Sequence, residues 1–425
     1  MYSSRTPDSR HQAACARPQP LRSTTAGSRS NRLSIALGAA LLALTACGGS
    51  DDSATTDQAA LIAQGQQIFR FDTFGDEIFW TDQLRMHDVI NTAVDPATAL
   101  SVGLKVDAEA LPANVVQGIE SGSISLTSTQ TTLALIQLDA VVGIKGAVET
   151  VNGQNVLRRV GITCALCHST VDNSFAQGIG KRLDGWPNRD LNPGAIMALS
   201  PAVNAAMKAV FNSWGKGKFD PRHNVDGISK PVVIPPAYGL EGIHSVTFTG
   251  DGKQLSYWNR YVAVAEMGGQ GSVTEPRLNL SITNGTQDLV SGKLPALQAY
   301  QLSLKAPPAP AGSFDAAAAM RGLVVFAGAG RCASCHTGAL FTDANSTLHP
   351  PGDSMAEPES PSYASRSASK QYRTSPLKGV WQHAPYFHDG SAATLNDVAR
   401  IYDRKLALGL SEQQINDLTE YLKSL

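Results

Sequence analysis

The sequence predicts a mainly α-helical protein in which one helical core is built twice, the first copy enlarged by insertions. Three observations carry that reading. A pentad occurs twice, as Cys164-Ala165-Leu166-Cys167-His168 and Cys332-Ala333-Ser334-Cys335-His336; a similar helix closes each half; and the text around two glycine turns echoes itself.

Each pentad sets two thiols about one helical turn apart, able to add to the two vinyl groups of a haem, and offers the next His to the iron as an axial ligand. Zinc sites and redox dithiols also use Cys-x-x-Cys, but neither needs the following His. With 9 His in 425 residues, chance would put His after both pairs roughly once in 2,000. Two covalently attached haem c groups are therefore expected, with Cys164, Cys167, Cys332 and Cys335 as the attachment residues and His168 and His336 as iron ligands. A helix before the pentad and one after it is how cytochrome c domains cover their cofactor. The fold expected is thus two cytochrome c-like haem domains in tandem.

In chain order, residues 33–44 form a 12-residue apolar run behind Arg29 and Arg32. That is too short to span a bilayer and is shaped like a signal-peptide core. Leu44-Thr45-Ala46-Cys47-Gly48 resembles a bacterial lipoprotein box, so residues 1–46 read as a lipoprotein signal peptide and Cys47 as the lipidated residue; the alternative is an ordinary signal peptide with a chance Cys. Residues 47–60 read as a flexible polar tether. The expected location is outside the cytoplasm, in the periplasm, anchored to the outer membrane by lipid alone. Cleavage before Cys47 also removes Cys15, leaving no thiol pair for a disulfide.

The chain has 35 basic and 36 acidic side chains; residues 1–46 hold six Arg and one Asp, so 29 and 35 remain, formally −6. With no basic stripe, nucleic acid is not an expected partner.

Residues 61–306 form the expected N-terminal haem domain. Its segment Phe69 to Trp80 has no role readable from sequence, and Ser121 to Thr132 fits strand or loop. Leu294 to Leu304 reads as a helix, residues 307–311 as a stiff Pro-rich linker, and residues 312–425 as the C-terminal haem domain. There an Ala-rich helix carries Gly322 and Phe326 ahead of the pentad. The last helix opens on a Ser411/Gln414 capping box, with Ile415, Leu418, Leu422 and Leu425 on one face. The echo pairs Leu377-Lys378-Gly379 and Phe387-His388-Asp389-Gly390 with Leu240-Glu241-Gly242 and Phe248-Thr249-Gly250-Asp251-Gly252, a helix following each.

With Ala384-Pro385-Tyr386-Phe387-His388-Asp389-Gly390-Ser391-Ala392-Ala393-Thr394-Leu395 downstream of the second pentad, the chain resembles the bacterial di-haem cytochrome c peroxidase and MauG superfamily, strongly over 312–425 and more weakly over 61–306. The resemblance implies a reactive haem at His168 and a six-coordinate relay haem at His336. Where the peroxidases place a Met on the second iron and MauG a Tyr, this chain offers Tyr402. Glu266-Met267-Gly268 is similar to a peroxidase motif whose Glu handles protons; Glu266 would be catalytic unless Met267 binds the iron and closes the site. Trp258 would be the stepping stone between haems, with Trp186, Trp214 and Trp381 as rivals. His223, His244, His349 and His383 are further sixth-ligand candidates, and His388 a hydrogen-bonding residue of its motif. A Ca2+ ion between the domains is also implied.

The function expected is reduction of hydrogen peroxide or a related oxidant, with electrons from a small redox protein or a quinol-linked donor. Two alternatives stand: an electron carrier with both irons six-coordinate, and an oxygenase-type or MauG-like enzyme oxidising an organic or protein substrate.

Overall fold

The computed structural model describes residues 51–222, 226–353 and 362–425. The expected signal peptide, Cys47 and His223 lie outside them. Among the described residues no helix is long and apolar enough to cross a membrane. Residues 51–60, expected as part of a tether, are helical: α1 runs Asp51–Phe71 without interruption.

Two helix pairs frame the protein, and they are built alike. In the first half α1 crosses α2 (Leu294–Ser303), and in the second α3 (Ala316–Ala327) crosses α4 (Glu412–Lys423). A glycine lies at each crossing. A Cβ on Gly65 would stand 1.9 Å from the Ala296 carbonyl oxygen and 2.7 Å from Tyr300 Cβ; one on Gly322 would stand 1.9 Å from the Asp417 oxygen and 2.8 Å from Tyr421 Cβ. Four residues on from each glycine, an aromatic ring meets that tyrosine edge to face, Phe69 on Tyr300 at 5.5 Å and Phe326 on Tyr421 at 5.1 Å. Backbones this close need a residue with no side chain.

A second element also recurs. Helix α5 (Leu395–Leu406) follows a turn in which Tyr386 N–H donates to Ala392 O; in the first half Val246 N–H donates to Gly252 O, and the helix after it runs Leu255–Tyr261 and continues as a π-turn, Val262–Glu266. Left-handed Thr247 and Gly250 match Phe387 and Gly390. The echo is therefore registered on Gly250 and Gly390, not on Gly252 and Gly390 as the Asp-Gly pairs suggest, and Phe248 falls opposite His388.

The insertions of the first half form their own core. A hairpin, β1 (Ile144–Val151) and β2 (Gln154–Ile162), packs with Trp80, Leu133, Ile136 and Trp214. Residues 121–128 are turns leading into a helix, Thr129–Gln137, and not a strand. The Phe69 to Trp80 segment fastens this core to the helix pair: Phe69, Phe74 and Asp76 are fully buried, Asp76 accepts the Ile162 N–H, and Trp80 Nε1 donates to Met267 O at 3.0 Å. These hairpin and insertion elements make the first half less uniformly helical than the sequence alone suggests.

The halves are clamped by charge. Arg366 meets Asp220 in bidentate fashion at 3.0 Å and reaches Asp226 at 2.7 Å, with Asp220 fully buried. The linker is held too, Trp381 Nε1 donating to Pro307 O.

Replacing Gly322 by Ala is expected to destabilise the protein by about 1–3 kcal/mol through overpacking, read as a lowered denaturant midpoint with an unchanged slope. Replacing Arg366 by Ala strands two carboxylates, one of them fully buried, and should remove about 3–5 kcal/mol in the same measurement.

Candidate haem-binding sites

The first pentad begins at Cys164, two residues past β2, and continues as one helical turn, Ala165–His168. The second starts from left-handed Arg331 and turns through Cys332–Ser334. In both, the His backbone N–H donates to the carbonyl of the first Cys, at 3.1 Å for His168 and 3.0 Å for His336.

The imidazoles are oriented the same way. His168 Nδ1 lies 3.1 Å from Pro235 O, and His336 Nδ1 lies 3.0 Å from Phe341 O. A carbonyl can only accept, so Nδ1 carries the proton and the Nε2 lone pair is left for a metal. Burial holds both rings neutral, pulling His168 down to about 4 and lowering His336 as well. Burial likewise pushes the Cys164 and Cys167 thiols up to about 12 and Cys332 up to about 11.

The second pentad opens on a cavity of about 440 Å³. Phe326, Leu377, Val398, Leu418 and Leu422 wall it, and Cys332, Cys335 and His336 stand on its edge. An apolar chamber with two thiols and a tautomerically fixed imidazole fits a thioether-linked haem. Tyr402 and His383 also line it, as do His349 and His388. His349 Nε2 is engaged with Asp343 at 3.0 Å, and His388 with the Tyr372 hydroxyl at 3.2 Å. His383 is held down to about 3 by burial and by Arg189. His244 is exposed on a loop, its backbone bonded to Asn345.

Near the first pentad the telling group is Glu266. It is half-buried with Oε1 shielded from solvent and without a partner, and its carboxyl is pushed well above the usual range by desolvation and then by Asp220. Its charge would reach the Cys167 thiol. Met267, the neighbouring residue, packs in the core with Phe69, Phe74 and Val264. Trp258 stacks on Tyr261 at 4.9 Å beside a small cleft of about 50 Å³ that Asp220 and Tyr363 also line. Trp186 and Trp381, one from each half, meet edge to face at 5.8 Å, while Trp214 belongs to the insertion core.

Among the described residues one group of three metal-donor side chains comes together, Cys335, Asp343 and His349. With a single carboxylate it does not make the oxygen cage that Ca2+ takes. Sequence reasoning missed Pro235, Arg189 and Arg373, which touch or line the sites from loops; a lone Arg or Pro in a loop carries no motif that could have pointed to them.

Residues 371–406 match the family described as RoxA-like, cytochrome c-like. No curated protein matches the chain. Among solved structures, hydrazine synthase of Kuenenia stuttgartiensis pressurised with 20 bar xenon is 22% identical over 50% of this chain and 74% of its own, with a TM-score of 0.30. A MauG-like protein associated with microbial copper homeostasis is 21% identical over 34% and 61%, with a TM-score of 0.25. Likenesses this weak decide nothing about activity. The matched segment supplies the turn and helix that wall the cavity beside His336, and the chain accordingly carries a cytochrome c-like domain whose cofactor is covalent haem c.

Proposed function

We propose that this protein is a di-haem c-type cytochrome, with two cytochrome c-like domains in tandem, that reduces hydrogen peroxide or a related oxidant at the site of its first pentad. The observation that carries the reading is Glu266, a half-buried carboxyl whose shielded Oε1 is unpartnered and whose charge helps to raise the Cys167 thiol. Support for a second haem domain comes from the repeated glycine crossing, the repeated turn and helix, and the repeated His-to-carbonyl bond.

A haem with one open face supplies an iron that binds an oxidant's oxygen and exchanges single electrons. What the chain adds is proton handling and positioning. Kept neutral by burial, Glu266 holds a proton that it can give to the departing oxygen of a peroxide, and as carboxylate it can take one from the nearer oxygen. Met267, committed to the core, leaves that face to Glu266.

Tyr402 and His383 line the same cavity as His336 and are the side chains that would offer a haem iron held there a further ligand. The Trp186–Trp381 pair, lying where the halves meet, takes over from Trp258 as the oxidisable bridge. Export as a Cys47-anchored periplasmic lipoprotein, with a small redox protein or quinol-linked donor, is proposed from sequence alone.

An electron paramagnetic resonance spectrum of the diferric protein should show one high-spin and one low-spin iron. Two low-spin irons would instead favour the electron carrier. Replacing Glu266 by Gln should lower peroxide turnover about 10²–10⁴-fold with both haems attached and the high-spin signal kept; a loss under about tenfold would remove Glu266 from the chemistry.

A further inference from the structure

Two half-buried arginines stand at the cavity of the second pentad with guanidinium nitrogens that are shielded from solvent and unbonded. Arg189 leaves Nε and Nη1 unbonded, and Arg373 leaves Nε unbonded while Nη1 donates to Ser245 O at 2.9 Å. Both line the same cavity as Cys332, Cys335 and His336. Burial draws each guanidinium down to about 10, offset only by neutral tyrosines, Tyr238 and Tyr386 around Arg189 and Tyr363 near Arg373. No carboxylate bonds either one, whereas Arg366, a buried arginine at the join, has two. Shielded guanidinium nitrogens without a counter-charge are costly to leave unmet, so the cavity suits an anion. Arg331 and Lys378 also border it but are exposed and solvated.

The position of Arg189 adds a second point. It belongs to the first half, in a short loop fastened to the first pentad: Gly185 N–H donates to His168 O and Asn188 N–H to Cys167 O, both at 2.8 Å. One residue past Asn188, the chain enters the cavity of the other pentad. Pro235, whose carbonyl orients His168, lines that cavity as well.

We infer that Arg189 and Arg373 bind the propionate carboxylates of the haem attached at Cys332 and Cys335, so that the first half closes the haem site of the second and sets its charge. This rests on the di-haem reading above. Arg189 and Arg373 act as positioning residues: a guanidinium against each carboxylate compensates its charge and favours the reduced, less positive iron. Removing one should therefore lower that haem's potential and leave the other unmoved.

The test is a spectroelectrochemical titration of the full chain matured in a haem-ligating host, comparing wild type with R189Q, R373Q, R189K and R373K. The two potentials are assigned with the Cys332→Ala/Cys335→Ala variant. Each Gln variant should shift the reduction equilibrium of the second haem about tenfold towards the oxidised form, a fall of about 59 mV for one electron, with the first haem unchanged. The Lys variants, which keep the charge, should retain most of the wild-type potential. Loss of the second haem in a Gln variant but not in its Lys counterpart would also support the assignment. Unmoved or raised potentials, equal shifts in both haems, or equal haem loss in Gln and Lys variants would overturn it. A wild-type mass lacking two haems would instead bring down the di-haem reading itself.

Discussion

Everything in this protein is hung on a backbone contact: a helix that crosses its partner so closely that a carbonyl oxygen occupies the space of a side chain. Gly65 over Ala296 and Gly322 over Asp417 fix the two crossings, and an aromatic ring four residues on locks each against a tyrosine. The pentads hang from those frames. Because Cys332 follows α3 within five residues, the crossing sets where thiols and imidazole can stand. The cavity beside His336 is walled by Phe326 of one helix and by Leu418 and Leu422 of the other.

Polar groups are distributed unevenly around this scaffold. At the clamp between the halves, Arg366 has two carboxylates and Asp220 also accepts backbone N–H groups from Arg222 and Lys230. Near the pentads the pattern reverses, and Glu266, Arg189 and Arg373 are half-buried with shielded polar atoms unbonded. A folded chain tolerates few such groups; others occur on His87, Thr132 and Arg182, so it is charge beside a pentad, not the missing bond alone, that marks these three. The signs differ as well: a carboxyl by the first pentad, guanidinium groups by the second.

The thiols and imidazoles were legible in the sequence because covalent attachment demands fixed residue types at fixed spacing. The last helix was legible because its capping box and apolar stripe are local. The echo was visible but slipped by two residues on the first-half side, since paired Asp-Gly letters suggested a register that the left-handed turn residues Gly250 and Gly390 do not share. The first crossing was less visible than the second. Gly65 and Phe69 repeat the spacing of Gly322 and Phe326, yet their helix precedes its pentad by a long insertion that hides the correspondence. The Phe69 to Trp80 segment could not be read at all, because its partners, Ile162 and Met267, are distant in the chain and its function is to hold insertion and frame together. Trp258 is singled out by the family resemblance, whereas the edge-to-face meeting of Trp186 and Trp381, one from each half, depends on a tertiary contact that no local pattern encodes.

The two sites are not independent modules joined by a linker. Residues 185–189 bond to the backbone of the first pentad and deliver Arg189 to the cavity of the second, and Pro235 orients His168 with its carbonyl while its ring lines that same cavity. Tyr238, a few residues on, donates to Gly379 O and accepts from Gln382, both of the second half. The two pentads therefore share one hydrogen-bonded wall. Such a wall also explains the enlarged first half. The insertion core meets the frame where Ile162 bonds Asp76 and Trp80 bonds Met267, bracing Cys164 and the π-turn that carries Glu266, and a carboxyl with an unpaired oxygen keeps its position only if the backbone on both sides cannot relax away from it.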